Sequence, residues 1–164
     1  MRKAITFLGT FNYAETTYFL NQKTCRTNLF PEALNSFFSP EEILVFLTKD
    51  AENKYLEILS NRLKGKASLR PISIPDGKNE AEIWGIFEKL TQNVNRGDRI
   101  IFDITHAFRS IPFLAIIAVS YLRAAKDMEL EALVYGAYDA RVDDRSPVFD
   151  LTPFVTLLDW TNAT

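Results

Sequence analysis

Apolar positions in this chain alternate between two patterns. The first is a short, nearly unbroken run: Lys3 to Leu8 (KAITFL), Glu42 to Thr48 (EILVFLT), Arg70 to Ile74 and Arg99 to Ile104 (RIIFDI). Turn formers punctuate these runs, with Gly9 closing the first, Pro75-Asp76-Gly77 the third, and Arg96-Gly97-Asp98 introducing the fourth. Runs this short, rich in β-branched and aromatic residues, predict strands covered on both faces. In the second pattern apolar residues recur every three or four positions. It covers Ala51 to Leu63 (Tyr55, Leu56, Leu59, Leu63), Asn79 to Val94 (Ile83, Trp84, Phe87, Leu90) and Ile111 to Ala125. That spacing predicts helices. Strand and helix in alternation specify an α/β fold, a doubly wound and mainly parallel sheet, in one domain over residues 1–164.

Two stretches depart from the alternation. Thr16 to Leu20 and Thr24 to Asn28 flank the polar Asn21-Gln22-Lys23, which predicts a small inserted hairpin placed to lie over the mouth of a site. Glu131 to Ala137 and Val148 to Phe154 predict two further strands joined by a loop over Ala140 to Ser146, and Phe154 to Trp160 the start of a last helix. A chain ending within a turn or two of that helix fits the sensory part of a longer protein.

Charge and composition narrow the function classes. With 19 Lys and Arg against 21 Asp and Glu, the net charge is −2, so no broad basic face is expected to hold duplex nucleic acid and any nucleotide must be gripped locally. Cys25 is the sole cysteine, which excludes an intrachain disulfide and a cysteine-based zinc cluster and suits a reducing compartment. Met1 to Gly9 lacks the flanks of a signal peptide, and the longest apolar stretch, Ile111 to Leu122, is too short to span a bilayer. A cytoplasmic protein without membrane contact, metal or cofactor is the expectation.

In doubly wound sheets ligands bind beyond the carboxyl ends of the strands where strand order reverses, most commonly between the first and fourth parallel strands. The polar segments after those strands are Gly9-Thr10-Phe11-Asn12-Tyr13-Ala14-Glu15-Thr16-Thr17-Tyr18 and Asp103-Ile104-Thr105-His106-Ala107-Phe108-Arg109-Ser110-Ile111-Pro112. They are expected to face each other across one pocket. Pro112 lacks an N–H and belongs in a first helical turn, so the helix begins no earlier than Phe108 to Ile111 and Arg109 and Ser110 stand at its amino end, where an anion is favoured. Arg109 offers a planar fork to a phosphate, and Thr105, Ser110, Thr10 and Asn12 offer neutral donors. The plainer reading has Ser110 capping the helix and Arg109 paired with Asp103 or Glu15. His106, the only histidine, is either a satisfied structural group or a catalyst. Asp103, at a buried strand end, is expected to anchor its loop by accepting backbone N–H bonds. Tyr13, Tyr18 and Phe108 are either core residues or platforms for a base.

The run Asp103-Ile104-Thr105-His106-Ala107-Phe108-Arg109-Ser110-Ile111-Pro112 resembles the Asp-x-Thr-His-Gly-x-Arg-x-x-Pro signature of the CRISPR-associated DxTHG proteins, whose N-terminal unit is a Rossmann-like CARF domain. Phe7-Leu8-Gly9-Thr10 with Asn12-Tyr13 and Thr16-Thr17-Tyr18, then Phe30-Pro31-Glu32-Ala33-Leu34, Leu44-Val45-Phe46-Leu47-Thr48 and Asp150-Leu151-Thr152-Pro153-Phe154, are similar to the same family. The resemblance implies a homodimeric sensor of cyclic oligoadenylate, the messenger of type III antiviral defence. It implies a ligand set of Gly9, Thr10, Asn12, Tyr13, Thr16, Thr17, Thr105, His106, Ala107, Phe108, Arg109 and Ser110. Some relatives are ring nucleases that open the ring without metal by aligning its own 2′-hydroxyl; Thr10, His106 and Arg109 are the residues such a reaction would use here. Many relatives carry a helical nuclease as effector on the carboxyl side, which these 164 residues lack. Ala107 also stands in place of the signature glycine.

A ring of four or six adenylates has two-fold symmetry and fits across a homodimer axis. Ile111 to Ala125, apolar nearly all round (Phe113, Leu114, Ile116, Ile117, Val119, Tyr121, Leu122), is read either as the helix buried there or as the central helix of a monomer. A dimerisation module with a vestigial pocket is the remaining alternative.

Overall fold

In the computed structural model, which describes residues 1–163, a single eight-stranded sheet runs through the molecule. Its strands are β1 (Arg2–Leu8), β2 (Thr16–Leu20), β3 (Lys23–Thr27), β4 (Glu42–Leu47), β5 (Ser68–Ser73), β6 (Arg99–Asp103), β7 (Glu129–Gly136) and β8 (Arg145–Asp150), in the spatial order β3-β2-β8-β7-β6-β1-β4-β5. β5, β4, β1, β6 and β7 are mutually parallel. From β1 the parallel strands first build outward through β4 and β5, then return to β6 and β7 on the other flank. The order therefore reverses between β1 and β6, where the sequence places it.

Both faces of the sheet are covered. Along β1, Ile5 and Phe7 enter one core with Phe46, Phe102, Ile86, Leu90, Ala115 and Leu122, while Ala4 and Leu8 enter the other with Phe30, Leu34, Val45, Tyr55 and Leu59. Alternation across the pleat thus feeds two helical layers. The first layer carries α4 (Glu80–Gln92) and α5 (Ile111–Lys126); the second carries α1 (Phe30–Phe38) and a helical segment made of α2 (Lys49–Ala51), a π-turn (Glu52–Leu56) and α3 (Glu57–Leu63). The last helix, α6 (Thr152–Asn162), follows β8. At the amino ends of the strands the buried Lys3 ammonium donates to Asp98 at 2.6 Å, fixing β1 beside the turn that opens β6.

Three local expectations need correction, and one helix was not foreseen. The hairpin turn has two residues, Asn21 and Gln22, with Asn21 in the left-handed region (φ 55°), so Lys23 already belongs to β3. The hairpin is no lid: β2 pairs in parallel with β8, and the hairpin continues the sheet at its edge. β8 lies earlier than Val148 to Phe154, because Asp143 and Asp144, both left-handed (φ 52° and 61°), turn the chain tightly and the strand starts at once at Arg145. The helix α1 escaped the pattern entirely. It has nine residues and no capping side chain of its own; Pro31 and Glu32 in its first turn were its only local signals.

Candidate ligand-binding site

A cavity of about 1000 Å³ opens beyond the carboxyl ends of β1, β4, β5, β6 and β7. Gly9, Thr10, Asn12 and Tyr13 after β1 line it together with Thr105, His106, Ala107, Phe108 and Arg109 after β6. The two polar segments do converge. Three residues of the expected set stand apart from the cavity. Thr16 is fully buried, its hydroxyl 2.7 Å from that of Ser146; Thr17 pairs with β3 and β8 in the sheet; and Ser110 begins α5 outside the lining. Sequence reasoning missed Phe11, Thr48, Asp50, Asp76, Lys78, Tyr135, Gly136, Tyr138 and Asp139. The available signal was positional: Thr48, Asp76 and Tyr138 each follow a parallel strand, and Pro75-Asp76-Gly77 was read only as a turn.

The first loop is held from below. Lys54 Nζ donates to the Thr10 carbonyl at 2.7 Å and to Asn12 Oδ1 at 2.6 Å, and the Tyr55 hydroxyl donates to the Phe11 carbonyl. The Gly9 N–H donates to the Tyr13 hydroxyl at 2.8 Å, and burial pushes that phenol up to about 12. A Cβ on Gly9 would stand 3.1 Å from Phe108 Cδ1, so the absence of a side chain lets the second loop close over the first.

The second loop is built on Asp103. Its Oδ1 accepts the Thr105 N–H at 2.8 Å and the Thr105 hydroxyl at 2.6 Å, and its Oδ2 accepts the Thr6 hydroxyl at 2.7 Å. Desolvation raises this carboxyl to about 6 despite the three donors. Thr105 Oγ1 in turn accepts the Gly136 N–H at 2.7 Å, tying the loop to β7. A Cβ on Gly136 would approach Phe30 to 2.6 Å and Tyr18 to 2.8 Å, so no side chain fits there.

His106 is a structural group in this arrangement. Its ring is buried, its Nε2 accepts the Phe30 N–H at 3.0 Å and thereby caps α1 from across the molecule, and burial pushes its pKa down to about 3. The imidazole is therefore neutral with its proton on Nδ1, and brings no positive charge to the cavity. Arg109 is exposed, left-handed (φ 53°), and without an ion-pair or hydrogen-bond partner among the described residues; it pairs with neither Asp103 nor Glu15. Ser110 stands at the N-cap of α5 but its side chain caps nothing. The helix end itself offers little, since the Ile111 N–H turns back to the Phe108 carbonyl at 3.1 Å and Pro112 has no N–H. The charged group on this wall of the cavity is therefore the exposed Arg109 guanidinium.

Around the rim the charges are mixed. Lys78 lies 3.5 Å from Asp76, while the Asp50 and Asp139 carboxylates have no partner among the described residues. A polar wall of this kind suits a ligand that carries both anionic groups and hydrogen-bond donors. Among the described residues no group of His, Cys, Asp and Glu is placed to hold a metal ion, and no helix is long and apolar enough to cross a membrane.

Comparison with known proteins places this geometry. The family described as "CRISPR system endoribonuclease Csx1, CARF domain" matches residues 3–139, which include both loops and every strand of the parallel set. The CRISPR-associated protein MJ1674 of Methanocaldococcus jannaschii is 34% identical over 112 residues, 66% of this chain but only 17% of that protein's length. A Rossmann-like sheet with its cavity at the reversal of strand order, and a family match over most of its length, make this chain a member of the CARF-domain family of CRISPR system proteins.

Proposed function

We propose that this CARF domain is a sensor that binds cyclic oligoadenylate, with one ring shared by two copies of the chain. The observation that carries the reading is Arg109: an unpaired guanidinium, from the loop after β6, on the wall of the same cavity as Thr10 and Asn12 from the loop after β1. A guanidinium takes phosphate oxygens in pairs, and neutral donors opposite it complete the contact. The exposed rings of Phe11 and the half-buried Phe108 offer faces for adenine, each stack being worth roughly 1–3 kcal/mol.

Symmetry and surface both support the dimer. A cyclic tetra- or hexa-adenylate repeats its contacts about a two-fold axis, so two equivalent sites satisfy it best. α5 exposes Phe113, Ile117 and Tyr121 along one stripe, and α6 exposes Phe154, Leu157 and Trp160; the Arg123–Asp159 ion pair, 2.6 Å, holds these two helices together. An apolar surface of this kind marks an interface.

Thr10 and Arg109 share the cavity, which also admits slow cleavage of the ring by its own 2′-hydroxyl. His106, neutral and engaged at Nε2, adds no charge stabilisation to that step. Incubating excess labelled cyclic tetra-adenylate and hexa-adenylate with the protein and resolving the products separates the readings. An unchanged ring, bound stoichiometrically, is expected of the sensor. Linear products assign a ring nuclease, and no heat of binding or thermal shift with either ring leaves a dimerisation module with a vestigial pocket.

A further inference from the structure

The first loop is held by a helical segment that no motif singled out. Lys54 and Tyr55 are neighbours in sequence, and between them they hold three consecutive residues: Lys54 Nζ donates to the Thr10 carbonyl (2.7 Å) and Asn12 Oδ1 (2.6 Å), the Tyr55 hydroxyl to the Phe11 carbonyl. Both lie inside the π-turn Glu52–Leu56, a widened turn of the type that recurs at functional sites. Tyr55 is 5% exposed and packs its ring 5.5 Å from that of Tyr13, so the anchor is continuous with the core.

The consequence lies in which way the loop's polar groups point. Across a trans peptide the C=O and the following N–H point in opposite directions, and the described residues contain no cis bond. Turning the Thr10 and Phe11 carbonyls onto Lys54 and Tyr55 therefore turns the N–H groups of Phe11 and Asn12 to the far side of the loop. Neither N–H donates to a protein acceptor among the described residues. Lys54 also fixes the Asn12 amide: with Oδ1 accepting from the ammonium, Nδ2 and its two hydrogens face away. The oxygens that would repel an anion are held on one side and three donor groups are gathered on the other.

We propose that Lys54 and Tyr55 are positioning residues that make the Thr10–Asn12 loop a donor-only surface for a phosphate of the ligand, opposite Arg109. Lys54 itself does not touch the ligand in this scheme; its charge is spent on the loop. The inference rests on the reading of the cavity as a cyclic oligoadenylate site.

The test compares wild type, Lys54→Met and Lys54→Arg by amide nitrogen–proton spectra of the unliganded protein and by affinity for cyclic tetra- and hexa-adenylate. In Lys54→Met the Phe11 and Asn12 backbone amides and the Asn12 side-chain amide are expected to move, with the melting temperature unchanged because Lys54 is exposed. Affinity is expected to fall roughly 10-fold or more. Lys54→Arg keeps a two-acceptor donor and is expected to restore both. Unchanged affinity in Lys54→Met, an undisturbed loop spectrum, or an Arg variant as weak as the Met variant would overturn the assignment while leaving the sensor reading intact. A wild-type protein that binds neither ring overturns the sensor reading first and the loop's ligand role with it.

Discussion

Tyr13 lies on His106 with ring centroids 3.8 Å apart and planes inclined by 32°. One residue comes from the loop after β1 and the other from the loop after β6, so this contact joins the two halves of the cavity. Each ring is pinned by a backbone N–H as well: Gly9 donates to the Tyr13 hydroxyl and Phe30 to His106 Nε2. The stack therefore connects the first loop, the second loop and the start of α1 through the half-buried Tyr13 and the buried His106. It makes the spacing of the cavity walls a property of the core rather than of exposed loops.

The first prediction follows from that role. Replacing His106 with Ala removes a buried aromatic contact and leaves the Phe30 N–H without an acceptor, and is expected to destabilise the fold by about 2–4 kcal/mol in denaturant unfolding. A histidine serving only as a catalyst would leave the unfolding midpoint where it was.

His106 and Asp103 impose opposite pH dependences. His106, ordinarily near 6.5, is pushed down to about 3 by burial, so the unfolded chain binds the extra proton between those values; its contribution is complete above pH 6.5 and is lost as pH falls toward 3. Asp103, ordinarily near 3.8, is raised to about 6 by burial, so the folded chain holds the proton longer; its contribution is present below pH 3.8 and is lost as pH rises through 6. Each slope is on the order of 1.4 kcal/mol per pH unit, and between about pH 4 and 6 they nearly cancel. In Asp103→Asn only the histidine slope remains. The stability difference between wild type and Asp103→Asn, measured by chemical unfolding at pH 4, 5 and 6, is expected to change steadily, with the variant losing more on acidification. A pH-independent difference would show that Asp103 titrates normally. Comparison at equal pH removes the contribution of other carboxylates such as Asp98 and Glu131.

Most of the sheet was readable because its strands are short apolar runs, which admit few other states. The switch point followed from chain order alone, and with it the meeting of Asn12 and Arg109. What was not readable depends on distance in sequence. α1 receives its cap from His106, 76 positions away, so beyond Pro31 and Glu32 its start carries no local signal. Thr48, Lys78 and Tyr138 are unremarkable residue types that become cavity walls only once β4, β5 and β7 are laid side by side. Thr16 and Thr17, by contrast, belong to the polar segment after β1, yet the chain re-enters the sheet at that point and they spend their polar groups there.

Gly136 shows the same limitation and supports a third prediction. Nothing in its neighbourhood, Val134-Tyr135-Gly136-Ala137, announces a crowded position, yet a Cβ there would lie 2.6 Å from Phe30 and 2.8 Å from Tyr18. Both neighbours are buried ring atoms in a T-shaped pair with centroids 4.9 Å apart, Tyr18 on β2 and Phe30 at the start of α1. Gly136→Ala is expected to destabilise the protein by about 1–3 kcal/mol, the range for overpacking a filled core. An unfolding midpoint equal to wild type would mean that the Tyr18–Phe30 pair yields easily.

Arg109 holds a left-handed backbone (φ 53°) for which an L side chain gives up roughly 1–2 kcal/mol, at a position where its own side chain makes no intramolecular bond. Strain at an exposed cavity residue with no intramolecular partner supports the proposed ligand role. Stability and binding should therefore separate. Arg109→Gly is expected to raise unfolding stability by roughly 0.5–1 kcal/mol while weakening cyclic oligoadenylate binding by roughly 1.5–3 kcal/mol, the range of a charged hydrogen bond. Affinity unchanged in this variant would relocate the phosphate site.

The proposed sharing of one ring by two copies makes the outer faces of α5 and α6 answerable to experiment. Ile117 is 55% exposed in the single chain, between Phe113 and Tyr121 on the same stripe, so a charge there disturbs no packing within one copy. Buried against a second copy, a lone carboxylate would be desolvated without a partner, an outcome costly enough to dissociate a small interface. Ile117→Glu is thus expected to fold normally, to sediment as a monomer where wild type is a dimer, and to lose ring affinity in parallel, because half of the phosphate contacts leave with the second copy. Wild-type protein that remains monomeric with and without saturating ligand would remove the two-fold arrangement and leave each cavity to act alone.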